Sequence, residues 1–69
     1  MRVLDITSNL ITKAVYYEAS KELLITFRNG DRWKYSEVAK EEITLMMNAP
    51  SQGSYFVKYI KPNYKAEKL

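Results

Sequence analysis

Leu23-Leu24-Ile25-Thr26-Phe27-Arg28-Asn29-Gly30-Asp31-Arg32-Trp33-Lys34-Tyr35 decides the fold of this chain. Two runs of alternating apolar and polar residues flank an Asn-Gly pair, the strongest short-range signal for a β-hairpin. Turn length then determines where the aromatics point. A two-residue turn at Asn29-Gly30 sets Phe27 opposite Arg32 and Ile25 opposite Lys34, which mixes bases into the apolar face. A three-residue loop, with Arg28-Asn29 as a type I turn and Gly30 in the left-handed bulge position, moves the pairing by one residue. Phe27 then faces Asp31, Ile25 faces Trp33 and Leu23 faces Tyr35. A slip of one residue inverts every side chain, so the apolar pattern selects the three-residue loop. Trp33 and Tyr35 are expected in the core, in preference to serving as exposed base-stacking rings, with Arg32 and Lys34 on the other face beside Leu24 and Thr26.

Outward from the hairpin, Leu10 to Glu18 is β-branched and aromatic and reads as a first strand. Glu18 to Lys21 is a polar turn, Glu22 to Arg28 the second strand and Asp31 to Ser36 the third. Residues 1–9 carry a weak apolar alternation that ends in Thr7-Ser8-Asn9, a lead-in or short edge segment. After the hairpin the period changes. Val38, Ile43, Met46 and Met47 fall near helical spacing over Glu37 to Asn48, with Ser36 as N-cap and Pro50 as the stop. Ser51 caps a second helix carrying Tyr55, Phe56, Tyr59 and Ile60, and Pro62 limits it. Asn63 to Leu69 reads as a polar, basic tail. The expected fold is α+β: a three-stranded antiparallel β-meander followed by two short helices packed on one face, in a single domain over residues 1–69.

A chain of 69 residues makes one small domain, which buries only about 60% of the surface its unfolded form exposes. No Cys or His is present, which removes disulfides, thiolate and imidazole metal ligands, and the usual acid/base group at neutral pH. No cofactor motif occurs, since two glycines cannot build a phosphate-cradling loop, and Gly-x-Ser-x-Gly is absent. Glu37, Glu41 and Glu42 read as a solvated helix face rather than a catalytic pair. The expectation is a non-catalytic protein. Eleven Lys and Arg against eight Asp and Glu give a net charge of +3, which favours anionic partners mildly. No apolar run is long enough to span a membrane, and the start lacks a signal core, so a cytoplasmic location is expected.

The residues suited to binding fall in two groups. Arg28, Arg32 and Lys34 lie at the turn and on the outer sheet face. Lys58 and Lys61 lie on the last helix with Tyr59, and Tyr64 follows in the tail. Should the groups converge, they form a basic groove with aromatic elements, suited to phosphate contacts and base stacking. Otherwise they form a solvated rim that protects the sheet edge. Ser51-Gln52-Gly53-Ser54 is read as a helix cap.

With these residues placed, the chain resembles the KTSC domain family, named after an extension at the C-terminus of some lysyl-tRNA synthetases. The similarity runs from about Ser8 to Tyr64. It rests on Val15-x-Tyr17-Glu18, Leu23-x-Ile25-x-Phe27-x-Asn29-Gly30, Trp33-Lys34-Tyr35-x-x-Val38, Ala49-Pro50-Ser51-x-Gly53-x-Tyr55-Phe56, and Ile60-Lys61-x-x-Tyr64. Trp33 stands at the first aromatic of the family's Tyr-x-Tyr, so a role for that hydroxyl does not carry over. Ala39 stands where a Pro often follows the Val.

The resemblance implies RNA binding by attachment to a synthetase. The leading expectation is therefore RNA or single-stranded nucleic acid as partner, contacted by Arg28, Arg32, Lys34, Lys58, Tyr59, Lys61 and Tyr64. Two others stand beside it. One is a phage-type protein that inhibits a host protein through an outer face carrying Leu24, Thr26 and Tyr16 or Tyr17. The other is a homo-oligomer that sequesters a small anionic nucleotide.

Overall fold

The computed structural model describes residues 1–69. Its centre is an antiparallel meander of β2 (Ile11–Tyr17), β3 (Glu22–Phe27) and β4 (Arg32–Tyr35). The hairpin between β3 and β4 has the three-residue loop. Leu23 pairs with Tyr35 and Ile25 with Trp33. The Gly30 amide donates to the Phe27 carbonyl at 2.9 Å, and the Phe27 amide donates to Asp31 at 2.8 Å. Gly30 has φ +96°, which side-chain-bearing residues rarely adopt.

The sheet has five strands rather than the expected three. β1 (Arg2–Leu4) pairs with β2 at one edge, and β5 (Ala66–Lys68) pairs with β4 at the other, in the order β1-β2-β3-β4-β5. Both additions are three residues long, and β5 is exposed throughout. β5 is held by main-chain hydrogen bonds, which need no apolar pattern, so the polar tail gave no sign of it. The Leu69 amide, for instance, donates to Arg32 at 2.8 Å.

A β-bulge at Thr12 reconciles two inward residues three positions apart. Ile11 pairs with Phe27 while Lys13 pairs with Thr26, and both Ile11 and Ala14 are buried. One extra residue restores the phase that strict alternation would lose.

The chain leaves β4 through Glu37, at φ +58°, and crosses to Val38, which is fully buried. The Val38 amide donates to Lys21 at 2.8 Å, and its carbonyl accepts the Tyr16 hydroxyl at 2.6 Å. This anchor delays the first helix. α1 spans Lys40–Met47 behind Ala39, so Ser36 is not its N-cap, and Glu37 does not share a helical face with Glu41. α2 (Gln52–Tyr55) is capped by Ser51, whose hydroxyl accepts the Ser54 amide at 3.3 Å. It continues as a wider π turn over Phe56–Ile60, closed by the Lys61 amide on the Phe56 carbonyl at 2.8 Å.

Both helices lie over the sheet face that carries Leu4, Ala14, Tyr16, Leu23, Ile25 and Tyr35. Val38, Ile43, Met46, Phe56 and Ile60 close the core from above, all inaccessible to solvent. The other face has no cover and carries Val3, Tyr17, Leu24, Thr26, Arg32 and Lys34. No helix is long and apolar enough to cross a membrane.

Candidate nucleic-acid interface

Trp33 faces inward as its register demands, yet it is only half-buried, because helix cover gives out toward the hairpin turn. Beyond it opens a cavity of about 740 Å³. Phe27, Trp33 and Tyr35 line it from the sheet, and Leu10 from the loop before β2. Val57 comes from the π turn and Lys61 from the residue that caps it, with Arg28, Asn29 and Asp31 from the hairpin. The space is of the size that holds small ligands, and it mixes apolar walls with a few polar groups. A second, more polar cavity of about 590 Å³ shares Asn9, Leu10 and Val57 with the first and adds Ser51, Ser54 and Lys58. The two make one groove along the helix edge.

The loop that forms one wall is pinned at successive residues. The Thr7 amide donates to Gln52 Oε1 at 2.7 Å. Ser8 Oγ accepts the Leu10 amide at 3.0 Å and the Ile11 amide at 3.3 Å. Gly53 makes that position available to Ser8, since a Cβ at Gly53 would stand 2.6 Å from Ser8 Oγ. Arg28 donates from Nε to the Asn9 carbonyl at 2.7 Å and from Nη2 to Ser8 at 3.3 Å.

The residues expected to bind are thus distributed over three regions. Lys58 and Lys61 stand on the groove, exposed and unpaired with any carboxylate. Arg28 also lines it, with its guanidinium engaged by the loop carbonyls. Arg32 and Lys34 lie on the uncovered sheet face, where Lys34 sits 3.5 Å from Glu22 and 4.0 Å from Glu67. Tyr59 and Tyr64 belong to a separate cluster. Tyr55 and Tyr64 both donate to Glu42, the latter at 2.9 Å, and Tyr59 packs on Tyr55 with ring centroids 4.8 Å apart. Glu42 sets a negative charge beside these rings, a poor environment for phosphate. Of the two tyrosines proposed for the outer face, Tyr16 is buried and Tyr17 is the one turned outward.

Glu42 also marks the alkaline behaviour of the fold. Its hydrogen bond, then burial, push the Tyr55 hydroxyl from its ordinary 10.0 up to about 12. Tyr64 is raised as well, by burial and the same carboxylate. A raised phenol favours the folded state while protonated, so its contribution is complete below pH 10 and fades as pH climbs toward 12. Melting temperature should therefore fall over that window. Tyr55→Phe should have a shallower fall, with Tyr16, Tyr35 and Tyr64 sustaining the remainder. Thermal melts between pH 9 and 12 read both.

Sequence reasoning missed Asn9, Leu10, Phe27 and Val57 as groove residues and favoured a core position for Trp33 over a base-stacking one. Its place two residues beyond the turn residue Asp31, near the open end of the hairpin, was the one available hint.

Comparison with known proteins gives matches of three kinds, to a family model, to a curated relative and to solved structures. The family model described as "KTSC domain" matches residues 7–64. A lysine–tRNA ligase from Nostoc sp. is 41% identical over 61 residues, covering 83% of this chain and 10% of that enzyme's length. The crystal structure of a KTSC domain protein from Yersinia pestis superposes with a TM-score of 0.87 at 26% identity, covering 99% of this chain and 96% of that one.

Proposed function

This chain belongs to the KTSC domain family, and from that premise we propose that it is a non-catalytic module that binds single-stranded RNA in the groove beside Trp33. One observation carries the reading: a half-open indole in a cavity whose lip bears an unpaired lysine. A base stacks on Trp33 between Leu10 and Val57, and Lys61 and Lys58 meet successive phosphates. Stacking on an aromatic contributes about 1–3 kcal/mol per base, and each neutralised phosphate adds salt dependence. The match to a tRNA ligase supports RNA over DNA. Asp31, the acid in the cavity, is balanced by Lys68 at 3.8 Å.

The chain holds a single Trp, so its fluorescence reports this site alone. Titration with a mixed-sequence RNA decamer at about 50 mM salt should quench Trp33, and affinity should fall steeply as salt rises. Lys58→Gln and Lys61→Gln, both at exposed positions, should each flatten the log–log salt slope by about 0.7. Absence of both quenching and retention at low salt overturns the reading. Equal quenching by a mononucleotide would instead favour capture of a small anionic nucleotide in the same groove. Binding that survives both lysine changes would shift attention to the uncovered sheet face, with Val3, Tyr17 and Leu24, as a protein-docking surface.

A further inference from the structure

The fold buries two tyrosines and treats their hydroxyls differently. Tyr16 and Tyr35 are 1% and 2% exposed, and Tyr16 donates to the Val38 carbonyl at 2.6 Å. The half-buried Tyr55 and Tyr64 also donate, both to Glu42. The Tyr35 hydroxyl has no hydrogen-bond partner in the protein, although a buried phenol normally finds one. No side-chain polar atom sealed inside this protein lacks a partner, so the Tyr35 oxygen borders open space. The space that Tyr35 lines is the cavity of about 740 Å³ beside Trp33. Its ring is fixed there, edge-on to Phe56 at 5.2 Å and paired across the sheet with Leu23. Tyr35 lies two residues farther from the turn than Trp33, where helix cover is complete, so its hydroxyl marks the deep end of the cavity. We propose that this hydroxyl is a ligand-binding group that donates to a ring or carbonyl acceptor of one nucleobase inserted past Trp33, an inference that rests on the RNA-binding reading above.

The surroundings suit a flat ring with an acceptor at its inner edge. Trp33, Leu10 and Val57 supply apolar contact, and small-ligand sites pair such walls with a few placed polar groups. Burial pushes the Tyr35 hydroxyl above its ordinary 10.0, so it keeps its proton at neutral pH and acts as a donor. Every nucleobase carries a ring-nitrogen or carbonyl acceptor, so the contact demands a base without choosing among the four. A phosphate is disfavoured at this depth, because the unpaired cation Lys61 is exposed on the lip and a buried charge needs a partner. In a single strand, individual bases are splayed out and open to insertion.

Tyr35→Phe removes the oxygen and keeps the ring against Phe56, so the melting temperature should stay in place. Affinity for an end-labelled uridine decamer, read by anisotropy, should fall roughly 2- to 12-fold, the contribution of one neutral hydrogen bond. The slope of log affinity against log salt should not change, since no charge is removed. A decamer of the same length whose residues are all abasic should bind the two proteins alike. If both proteins bind the uridine decamer equally, or the abasic decamer shows the same loss, base contact by Tyr35 is wrong while the RNA-binding groove stands. A Tyr35→Phe chain that binds less but also melts lower has lost a structural hydroxyl, and that result overturns the contact as well. If the wild type binds neither decamer, the groove assignment itself falls, and this proposal with it.

Discussion

Phe56→Ala is expected to remove about 3–5 kcal/mol of stability, a large share of what this domain has. The Phe56 ring is wholly buried at the point where the last helix meets the sheet. It packs edge-on against Tyr35 at 5.2 Å and Phe27 at 5.7 Å. Removing a buried phenylalanine side chain costs about 3–5 kcal/mol, through lost transfer energy and the cavity left behind. Total stability scales at roughly 0.05–0.15 kcal/mol per residue, so this chain has on the order of 3–10 kcal/mol. One substitution thus removes much or all of the margin. Phe56→Leu keeps most of the volume and should fold with a lowered melting temperature. Circular dichroism and urea melts distinguish the two. A cooperative, near-wild-type melt for Phe56→Ala would show that the helix is not fixed by this ring.

Gly53→Ala is expected to destabilise the chain even though alanine is the better helix former. On propensity alone the change should gain about 1 kcal/mol. Against that, the new methyl group would stand 2.6 Å from Ser8 Oγ, closer than a Cβ tolerates. Ser8 cannot swing away freely, because its Oγ satisfies the amides of Leu10 and Ile11. Losing two such bonds costs about 1–3 kcal/mol, so the net loss should be about 0–2 kcal/mol. Each kcal/mol lowers Tm by roughly 4–8 °C in a domain of this size. The sign should reverse in a Ser8→Ala background, where the obstructing oxygen is absent and the propensity gain remains. A double-mutant cycle reads this directly. The same displacement moves the loop bearing Asn9 and Leu10, so under the proposed RNA-binding reading affinity should fall with Gly53→Ala by more than stability alone explains.

The central hairpin was legible in the sequence because two constraints agreed. The Asn29-Gly30 pair marks the turn, and the apolar phase of Leu23, Ile25, Phe27, Trp33 and Tyr35 then admits only one loop length. The family match covers residues 7–64, which contains that meander and both helices but neither edge strand. β1 and β5 follow from main-chain bonding at open edges, and side-chain patterns carry little information about it. The late start of α1 was equally hidden. Glu37 takes a left-handed conformation because Val38 is bound on both its amide and its carbonyl, by Lys21 in the β2–β3 turn and by Tyr16 in β2. Local propensity contains nothing about such partners.

The candidate groove was legible in its chemistry and not in its layout. Lys58 and Lys61 were found, together with an aromatic–basic composition. Phase alone placed Trp33 on the correct face without revealing that the helices stop short of it. Alternation along β4 puts Arg32 and Lys34 on the outer sheet face, and they lie there, so they do not converge with Lys58 and Lys61 on the groove. Tyr59 and Tyr64 gather around Glu42, a pairing over 22 residues for Tyr64 that no local pattern encodes.

The π turn at Phe56–Ile60 has an evolutionary corollary. Such a turn is commonly an α-helix with one residue inserted. A homologue one residue shorter between Val57 and Tyr59 would wind normally and could still bury its phenylalanine. The wider turn absorbs that extra residue, so positions after the deletion would keep their phase and Lys61 would stay on the lip beside the indole. A length change within this one turn is therefore one that sister sequences can carry without losing the layout of the candidate groove.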